Sequence, residues 1–469
     1  MPVSHNLGLI AELCDDVVVM YAGEVVEVGT VHEIFHNAQH PYTRALLECD
    51  PARITDVSRK LPVIPGDIPD LTKPQTGCIF ASRCQRAMPE CRTIEPPTAM
   101  RPSGGYANCH LLTGPLEDPD WPPPLDVLTV RSGESVVAEK KAPEGTPLLE
   151  VENINVRFRT LGPVKARLRG VEDPFVDAVL DVSIRVRPGE TVGLVGESGS
   201  GKTTLGRTIL NLQHADSGSV RFEGQEIRNM PEARFKPLRR DMAMMFQDPI
   251  GSLSPRKSVR ALITEPLQVH GVSGVNLDEE AERLADMVRL PKPFLTRYPH
   301  ELSGGQARRV GVARALALNP KLIIADEPTA GLDVSVQGEV LNLMADLQAE
   351  HGLGYLIITH NLPVVRHISD RIAIMYLGRI VEEGRASEIF SKPLHPYTQA
   401  LVEGVPQPDP DKRLTHVAVR GEVPSLLNRP KGCDFATRCP YAQDRCRAEK
   451  PAHETRPDGH SHACFFPLH

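Results

Sequence analysis

The chain has 469 residues, a formal net charge of −7, 24% charged residues and 10 cysteines. That length supports two to three domains, and an acidic balance without a long basic run argues against wholesale binding to nucleic-acid phosphates. No apolar run approaches the ~18 residues that span a bilayer. Met1-Pro2-Val3-Ser4-His5 lacks both the basic and the apolar part of a signal peptide, so the sequence predicts a cytosolic protein that meets membranes only through a protein partner.

In chain order, the first feature is a repeat. Residues 4–109 return at a constant offset of 355, the separation of His5 from His360 and of Cys78 from Cys433. Ser4-His5-Asn6-Leu7 matches Thr359-His360-Asn361-Leu362, and His40-Pro41-Tyr42-Thr43 matches His395-Pro396-Tyr397-Thr398. No gap is needed, so both copies are expected to share one fold. Residues 113–147, with Pro122-Pro123-Pro124 and Lys140-Lys141, read as a partly extended linker.

Next comes an apolar strand, Thr191–Val195, then Gly196-Glu197-Ser198-Gly199-Ser200-Gly201-Lys202-Thr203, then a helix from Thr204 to Leu210. Strand, glycine-rich loop and helix in that order form a nucleoside-triphosphate cradle. Glycines let backbone N–H groups curl round phosphate, the helix N-terminus adds its dipole, Lys202 adds a point charge, and the Thr203 hydroxyl can reach Mg²⁺. Further on, Leu302-Ser303-Gly304-Gly305-Gln306 opens a helix with a serine cap. Leu322–Ala325 reads as a buried parallel strand ending in Asp326-Glu327, where open α/β sheets bind ligands. Asp278 to Arg283 reads as an exposed, charged amphipathic helix without assigned function.

Eight cysteines form two quartets of equal spacing: Cys78, Cys84, Cys91, Cys109 and Cys433, Cys439, Cys446, Cys464. Disulfides fit a cytosolic protein poorly. Structural zinc more usually shows C-x2-C pairs, which are absent, and an iron–sulfur cluster takes four thiolates at flexible spacing, so spacing leaves both metals open. Cys14 and Cys49 are expected to be single buried thiols.

These motifs together resemble an ABC-type ATPase, from about Leu148 to the C-terminus. Gln247 in Phe246-Gln247-Asp248-Pro249, Asp333 in Gly331-Leu332-Asp333 and His360 complete the family's set. The resemblance implies an α/β fold: a P-loop core sheet with a helical subdomain and a Cys-rich C-terminal extension. It implies a domain at 148–402 with its extension at 403–469, and residues 1–112 as the C-terminal part of a second such domain. It further implies ATP and Mg²⁺ as ligands: Lys202 on the β/γ-phosphates, Thr203 and Gln247 on Mg²⁺, Asp326 on Mg²⁺ through water, Glu327 as general base and His360 at the γ-phosphate. His5 is read as structural. Thr204 and the signature Ser303, Gly304, Gly305 and Gln306 are counted with the nucleotide site. Phe175 is the candidate for the adenine ring, with Asp177 where many relatives carry tyrosine.

The run from His395-Pro396-Tyr397-Thr398 through Gly432-Cys433 to Cys464 is similar to the extension of oligopeptide/dipeptide importer ATPases, some of which carry a [4Fe–4S] cluster; zinc stays the alternative. Phe246–Gly271 is similar to the region of those subunits that receives a helix from the membrane permease. The implied function is ATP hydrolysis energising a peptide-type importer at the inner face of the plasma membrane. The implied partners are permease subunits, a second ABC domain and, indirectly, a solute-binding protein, with no nucleic acid. An ABC-class ATPase without a membrane partner and a non-enzymatic interaction module are the alternatives. A shortened form of a fused two-ATPase chain is the expectation for the incomplete first copy.

Overall fold

The computed structural model describes residues 2–54, 60–66, 68–69, 71–72, 74–112, 145–160, 175–413, 419 and 421–469. The expected linker lies outside these apart from residues 145–147. Contacts divide the chain into two compact units, one of Met1–Val137, Leu332–Asn342 and Val405–His416, the other of Ala138–Gly331, Leu343–Gly404 and Val417–His469.

The larger unit is built on an eight-stranded sheet. Its order is Met242–Met245, Leu322–Asp326, Gly354–Thr359, Thr191–Val195, Arg371–Tyr376, Arg379–Arg385, Ser461–His462, Glu454–Thr455. The first five strands run parallel, with Asp326 opposite Ile358 and Thr359 opposite Val195; the remainder are antiparallel. Four of the parallel strands are continuous apolar runs because both faces are covered. An antiparallel sheet of Phe175–Val186, Leu149–Arg159, Ser217–Phe222 and Gln225–Glu226 shares its core through Val151, Ile154, Val182 and Phe222. Three helices, Val259–Val269, Leu277–Met287 and Gly304–Leu316, pack on one another as a helical layer. Leu277–Met287 buries Ala281, Leu284 and Ala285 and exposes its acids, the amphipathic helix expected there.

The smaller unit centres on a four-stranded antiparallel sheet ordered Asp16–Tyr21, Glu24–Thr30, Tyr106–Asn108, Thr98–Met100. Its core joins Val19, Tyr21, Val26, Ile34, Phe35, Phe80 and Val334. The repeat is visible element by element. Helix Leu7–Leu13 answers Leu362–Ile368, strand Glu24–Thr30 answers Arg379–Arg385, and helix Pro41–Glu48 answers Pro396–Glu403. Even the bulge recurs, at Val19/Met20 and Ile374/Met375. Of the two isolated cysteines, Cys49 is buried as expected, whereas Cys14 is only half-buried.

Candidate active site

Three adjacent parallel strands end on the same edge of the large sheet, and most of the sequence-predicted site residues stand there. Thr191–Val195 delivers the glycine-rich loop, Leu322–Asp326 delivers Asp326 and Glu327, and Gly354–Thr359 delivers Thr359 and His360. The helix after the loop runs from Lys202 to Ile209, starting two residues before the expected Thr204. No side chain caps its N-terminus, so its first N–H groups are free to hold an anion. Gly201 sits at that cap with φ 99°, and a Cβ there would meet the Ala178 carbonyl oxygen at 2.3 Å. A Cβ on Gly196 would lie 2.1 Å from the Met375 oxygen, so the loop needs glycine at both positions.

Lys202 Nζ donates to the Gly196 and Glu197 carbonyls at 2.8 and 2.9 Å and to Ser200 Oγ at 3.2 Å. Burial lowers its pKa, against the pull of Glu327, Asp326 and Glu197. Thr203 Oγ1 donates to Asp326 Oδ1 at 3.2 Å. A hydroxyl beside a carboxylate is an oxygen donor set of the kind Mg²⁺ takes. Burial raises the Asp326 carboxyl, with Glu327 adding to the rise and the Thr203 hydroxyl opposing it.

Glu327 is held at both its backbone and its carboxylate. Its backbone lies at φ 49°, uncommon for a residue with a side chain, and its N–H donates to Ile358 O at 2.7 Å. Its Oε2 accepts from the Thr359 hydroxyl at 2.9 Å; its Oε1 accepts from the His360 N–H at 3.1 Å and lies 2.7 Å from His360 Nδ1. Burial would raise its pKa, but His360, Thr359 and Lys202 together hold it below the usual value. The same hydrogen bond raises the His360 ring, against the effect of burial. An ionised carboxylate beside the exposed His360 imidazole and a lysine can act as a general base.

Other expected residues stand apart from this edge. Ser303 and Gln306 form a capping box at the start of Gly304–Leu316, and Ser303 and Gly304 are exposed. Gln247 is exposed, as are Ser198 and Gly199 at the loop tip. Phe175 begins an antiparallel strand with the guanidinium groups of Arg157 and Arg159 at 5.1 and 5.2 Å from its ring. Asp333 belongs to the smaller unit, where its carbonyl accepts from Gln337 N. Each cysteine quartet lines one small cavity. Cys433, Cys439, Cys446 and Cys464 do so with Phe435 and Phe465; Cys78, Cys84, Cys91 and Cys109 do so with Phe80. Burial pushes the thiols of Cys433 and Cys109 up to about 12 and those of Cys464 and Cys84 to about 11, so a cation entering there would displace protons.

The ABC transporter family model matches residues 179–330, which include the loop, the signature and the Asp326-Glu327 strand end. Residues 179–330 thus form an ABC transporter-type domain. Outside this ABC domain, the model of the oligopeptide/dipeptide transporter C-terminal region matches twice, at 26–91 and 381–446. Curated relatives include the glutathione import ATP-binding protein GsiA of Shigella flexneri and of Escherichia coli strain K12. Each is 39% identical over 432 residues, covering 91% of this chain and 59% of the relative. The chain thus spans a little over half the length of the relatives it matches. A solved dimer of the ATP-binding cassette MJ0796 bound to ADP and Pi aligns over 51% of the chain at 27% identity with a TM-score of 0.46.

Several residues that hold the site together, in the ABC domain and beyond it, were not singled out from sequence. Arg308 is 1% exposed and donates to the carbonyls of Phe246, Gln247 and Ala330, tying the Gln247 loop to the signature helix. Arg438 forms a two-pronged pair with Glu197 of the phosphate loop at 2.8 and 3.0 Å, and the Tyr397 hydroxyl accepts from Glu197 N at 3.0 Å. The repeat was the available signal for the last two: both residue types recur as Arg83 and Tyr42.

Proposed function

We propose that this chain is the ATP-binding and ATP-hydrolysing subunit that energises a peptide-type importer. The carrying observation is the Glu327 carboxylate, fixed by Thr359 and His360 on the same sheet edge as Lys202, Thr203 and Asp326. Lys202 and the loop amides hold the β/γ-phosphates in place. Thr203, Asp326 and Gln247 would hold Mg²⁺, which neutralises phosphate charge when bound. Glu327 orients the attacking water and takes its proton, and His360 positions Glu327 and meets the γ-phosphate. The signature Ser303–Gln306, exposed at Ser303 and Gly304, serves a loop from a second ABC domain, so two such domains close a site. Asp333 belongs to that closure, and Phe175 takes the adenine ring with its flanking arginines.

On this reading residues 148–402 are the ATPase domain and 403–469 its extension. Residues 1–112 are the C-terminal part of a second ABC domain, joined by the linker 113–147. The double match to the oligopeptide/dipeptide C-terminal region supports this division and the choice of solute class. Permease subunits at the cytoplasmic membrane face, fed by a solute-binding protein, are the partners. Each cysteine quartet fits a metal centre, four thiols round one cavity. Zinc–sulfur bonds of about 2.3 Å in a tetrahedron bring sulfurs to about 3.8 Å of one another. Among the described residues, the one group of three ligand side chains with all donor atoms within 4.8 Å is His32, His36 and Asp411. No three sulfurs of either quartet come that close. Four cysteines suit either a [4Fe–4S] cluster or zinc; the reading keeps the cluster, with zinc as the alternative that metal analysis separates.

The test is ATP turnover by the purified chain, alone and with permease subunits. Absence of Mg²⁺-dependent hydrolysis in both would favour the non-enzymatic reading. Turnover that permeases and peptide-loaded binding protein leave unchanged would favour an ATPase without a membrane partner. Iron and acid-labile sulfide in stoichiometric amount is the expected result of metal analysis; zinc without iron refutes the cluster.

A further inference from the structure

The phosphate loop is fastened from outside its own motif, on both its backbone and its side chain. Glu197 is the second residue of the loop, and its carbonyl is one of the acceptors that seat Lys202 Nζ. Its carboxylate meets both terminal nitrogens of Arg438, a fork-to-fork pair. Arg438 is only 8% exposed, so solvent screens the pair much less than it would a surface contact. The Tyr397 hydroxyl takes the Glu197 N–H.

Arg438 in turn belongs to the cysteine-bearing turn. Its N–H and that of Cys439 donate to the same carbonyl, Phe435 O, at 2.9 and 3.0 Å, and Cys433 N donates to Cys446 O at 2.7 Å. The Phe435 ring packs on Tyr376 and Tyr397 with centroids 5.4 Å apart in each case. The first copy supplies a contrast. There Arg83 keeps the same place beside Cys84, with both amides on Phe80 O, but its guanidinium goes to Ile64 O at 2.7 Å, Pro65 O at 3.2 Å and Tyr21 Oη at 3.4 Å. The same arginine serves backbone carbonyls in one copy and the phosphate loop in the other.

We propose that Arg438 is a positioning residue for the phosphate loop, and that the Cys433–Cys464 quartet, by fixing the turn that carries Arg438, sets how tightly the loop holds a nucleoside triphosphate. The proposal rests on the reading of residues 196–203 as the ATP site. Loss of a quartet cysteine would slacken the turn and lower ATP affinity without touching a nucleotide contact.

The experiment is calorimetric titration of the full chain with Mg·ATP. Arg438→Ala and Glu197→Gln are each expected to weaken binding roughly tenfold, the middle of the range for coupled neighbours, and the double variant no further than either single one. Arg438→Lys, which keeps the charge and loses the fork, is expected to recover part of the loss. Cys464→Ala, 26 residues from Arg438, is expected to weaken binding in the parent but add nothing in Arg438→Ala. Arg83→Ala is expected to leave ATP affinity unchanged. Parent-like affinity in Arg438→Ala, additive losses in the double variant, or an equal loss in Arg83→Ala would each overturn the proposal. Lys202→Ala separates the two readings. If it loses ATP while Arg438→Ala does not, the positioning role alone fails; if it too binds like the parent, the ATP site itself is misplaced and the proposal falls with it.

Discussion

The two copies of the repeat solve the same local problems with nearly the same residues and differ where a neighbour differs. Both bury a strand glutamate, Glu27 and Glu382, under the N–H groups of a following turn. Glu27 accepts from Gln39 and His40 at 2.6 and 3.0 Å, and Glu382 from Leu394 and His395 at 2.7 and 2.8 Å. The remaining acceptor capacity goes to Arg101 in the first copy and to His460 in the second. Both stack a tyrosine pair against one phenylalanine, Tyr21 and Tyr42 on Phe80, Tyr376 and Tyr397 on Phe435. Local sequence therefore fixes a local fold twice. Only the second copy lies in a unit with a phosphate loop and a Glu327, and there its tyrosine, arginine and histidine acquire partners that the first copy's counterparts lack.

The sharpest break in this comparison is Glu327→Gln. Removing the base while leaving the loop intact is expected to lower ATP turnover by on the order of 10²–10⁴-fold with ATP binding retained. Steady-state hydrolysis and nucleotide titration on the same sample check it; a parent-like rate would remove Glu327 from the chemistry.

Next in size are the buried glutamates. Arg101→Ala strips the charged partner from a fully buried carboxylate, and such losses cost about 3–5 kcal/mol. His460→Ala removes one hydrogen bond from a glutamate that keeps two amide donors, a loss of about 1–3 kcal/mol. Hydrogen exchange at the neighbouring strands, Glu24–Thr30 and Arg379–Arg385, measures each cost locally. Equal protection in both variants would mean that the two buried glutamates do not depend differently on Arg101 and His460.

These contrasts show what the sequence discloses. The strand–loop–helix was legible because its signals are local: an apolar five-residue run, glycines at fixed spacing, then a helix. The quartets were legible as a repeat, and the structure gathers each round one cavity. Arg438 with Glu197 was not legible, since the partners are 241 residues apart and no periodicity joins them. Nor was Arg308, because an arginine in a helix reads as a solvated charge until its carbonyl partners are seen. Val334, beside the Asp333 motif, joins the core of the smaller unit, a long-range contact that no spacing announces.

A smaller effect concerns pH. Glu327 is held below its ordinary 4.5 and His360 above its ordinary 6.5. The carboxylate's share of the pair's stability is present above 4.5 and is lost as pH falls through its lowered value. The imidazolium's share is present below 6.5 and is lost as pH rises through its raised value. The pair's mutual stabilisation is therefore greatest between 4.5 and 6.5 and fades as pH falls through the lowered Glu327 value or rises through the raised His360 value. In NMR of histidine-labelled protein, His360 is expected to titrate above 6.5 in the parent and to shift down in Glu327→Gln. A midpoint that stays put would mean that Glu327 does not hold the ring.

The smallest expected effect is none at all, and it tests the comparison most directly. His5 and His360 sit in the same local frame. Asn6 and Asn361 cap the following helix through Leu9 and Val364 at 3.0 and 3.3 Å, and Ser4 Oγ and Thr359 Oγ1 accept from Asn6 N and Asn361 N at 3.0 and 3.1 Å. The frames part at one point. Thr359 Oγ1 also donates to Glu327, and the His360 ring meets the same carboxylate; His5 is exposed, and among the described residues its unit contains no strand end like Asp326-Glu327. A proton or phosphate contact works only within hydrogen-bonding reach, roughly 2.6–3.2 Å. His5→Ala is therefore expected to leave ATP turnover at the parent level, while His360→Ala lowers it by releasing Glu327. Equal losses in the two variants would mean that the first copy takes part in a working site, one completed by a strand end from another chain, and the division of labour between the copies would have to be redrawn.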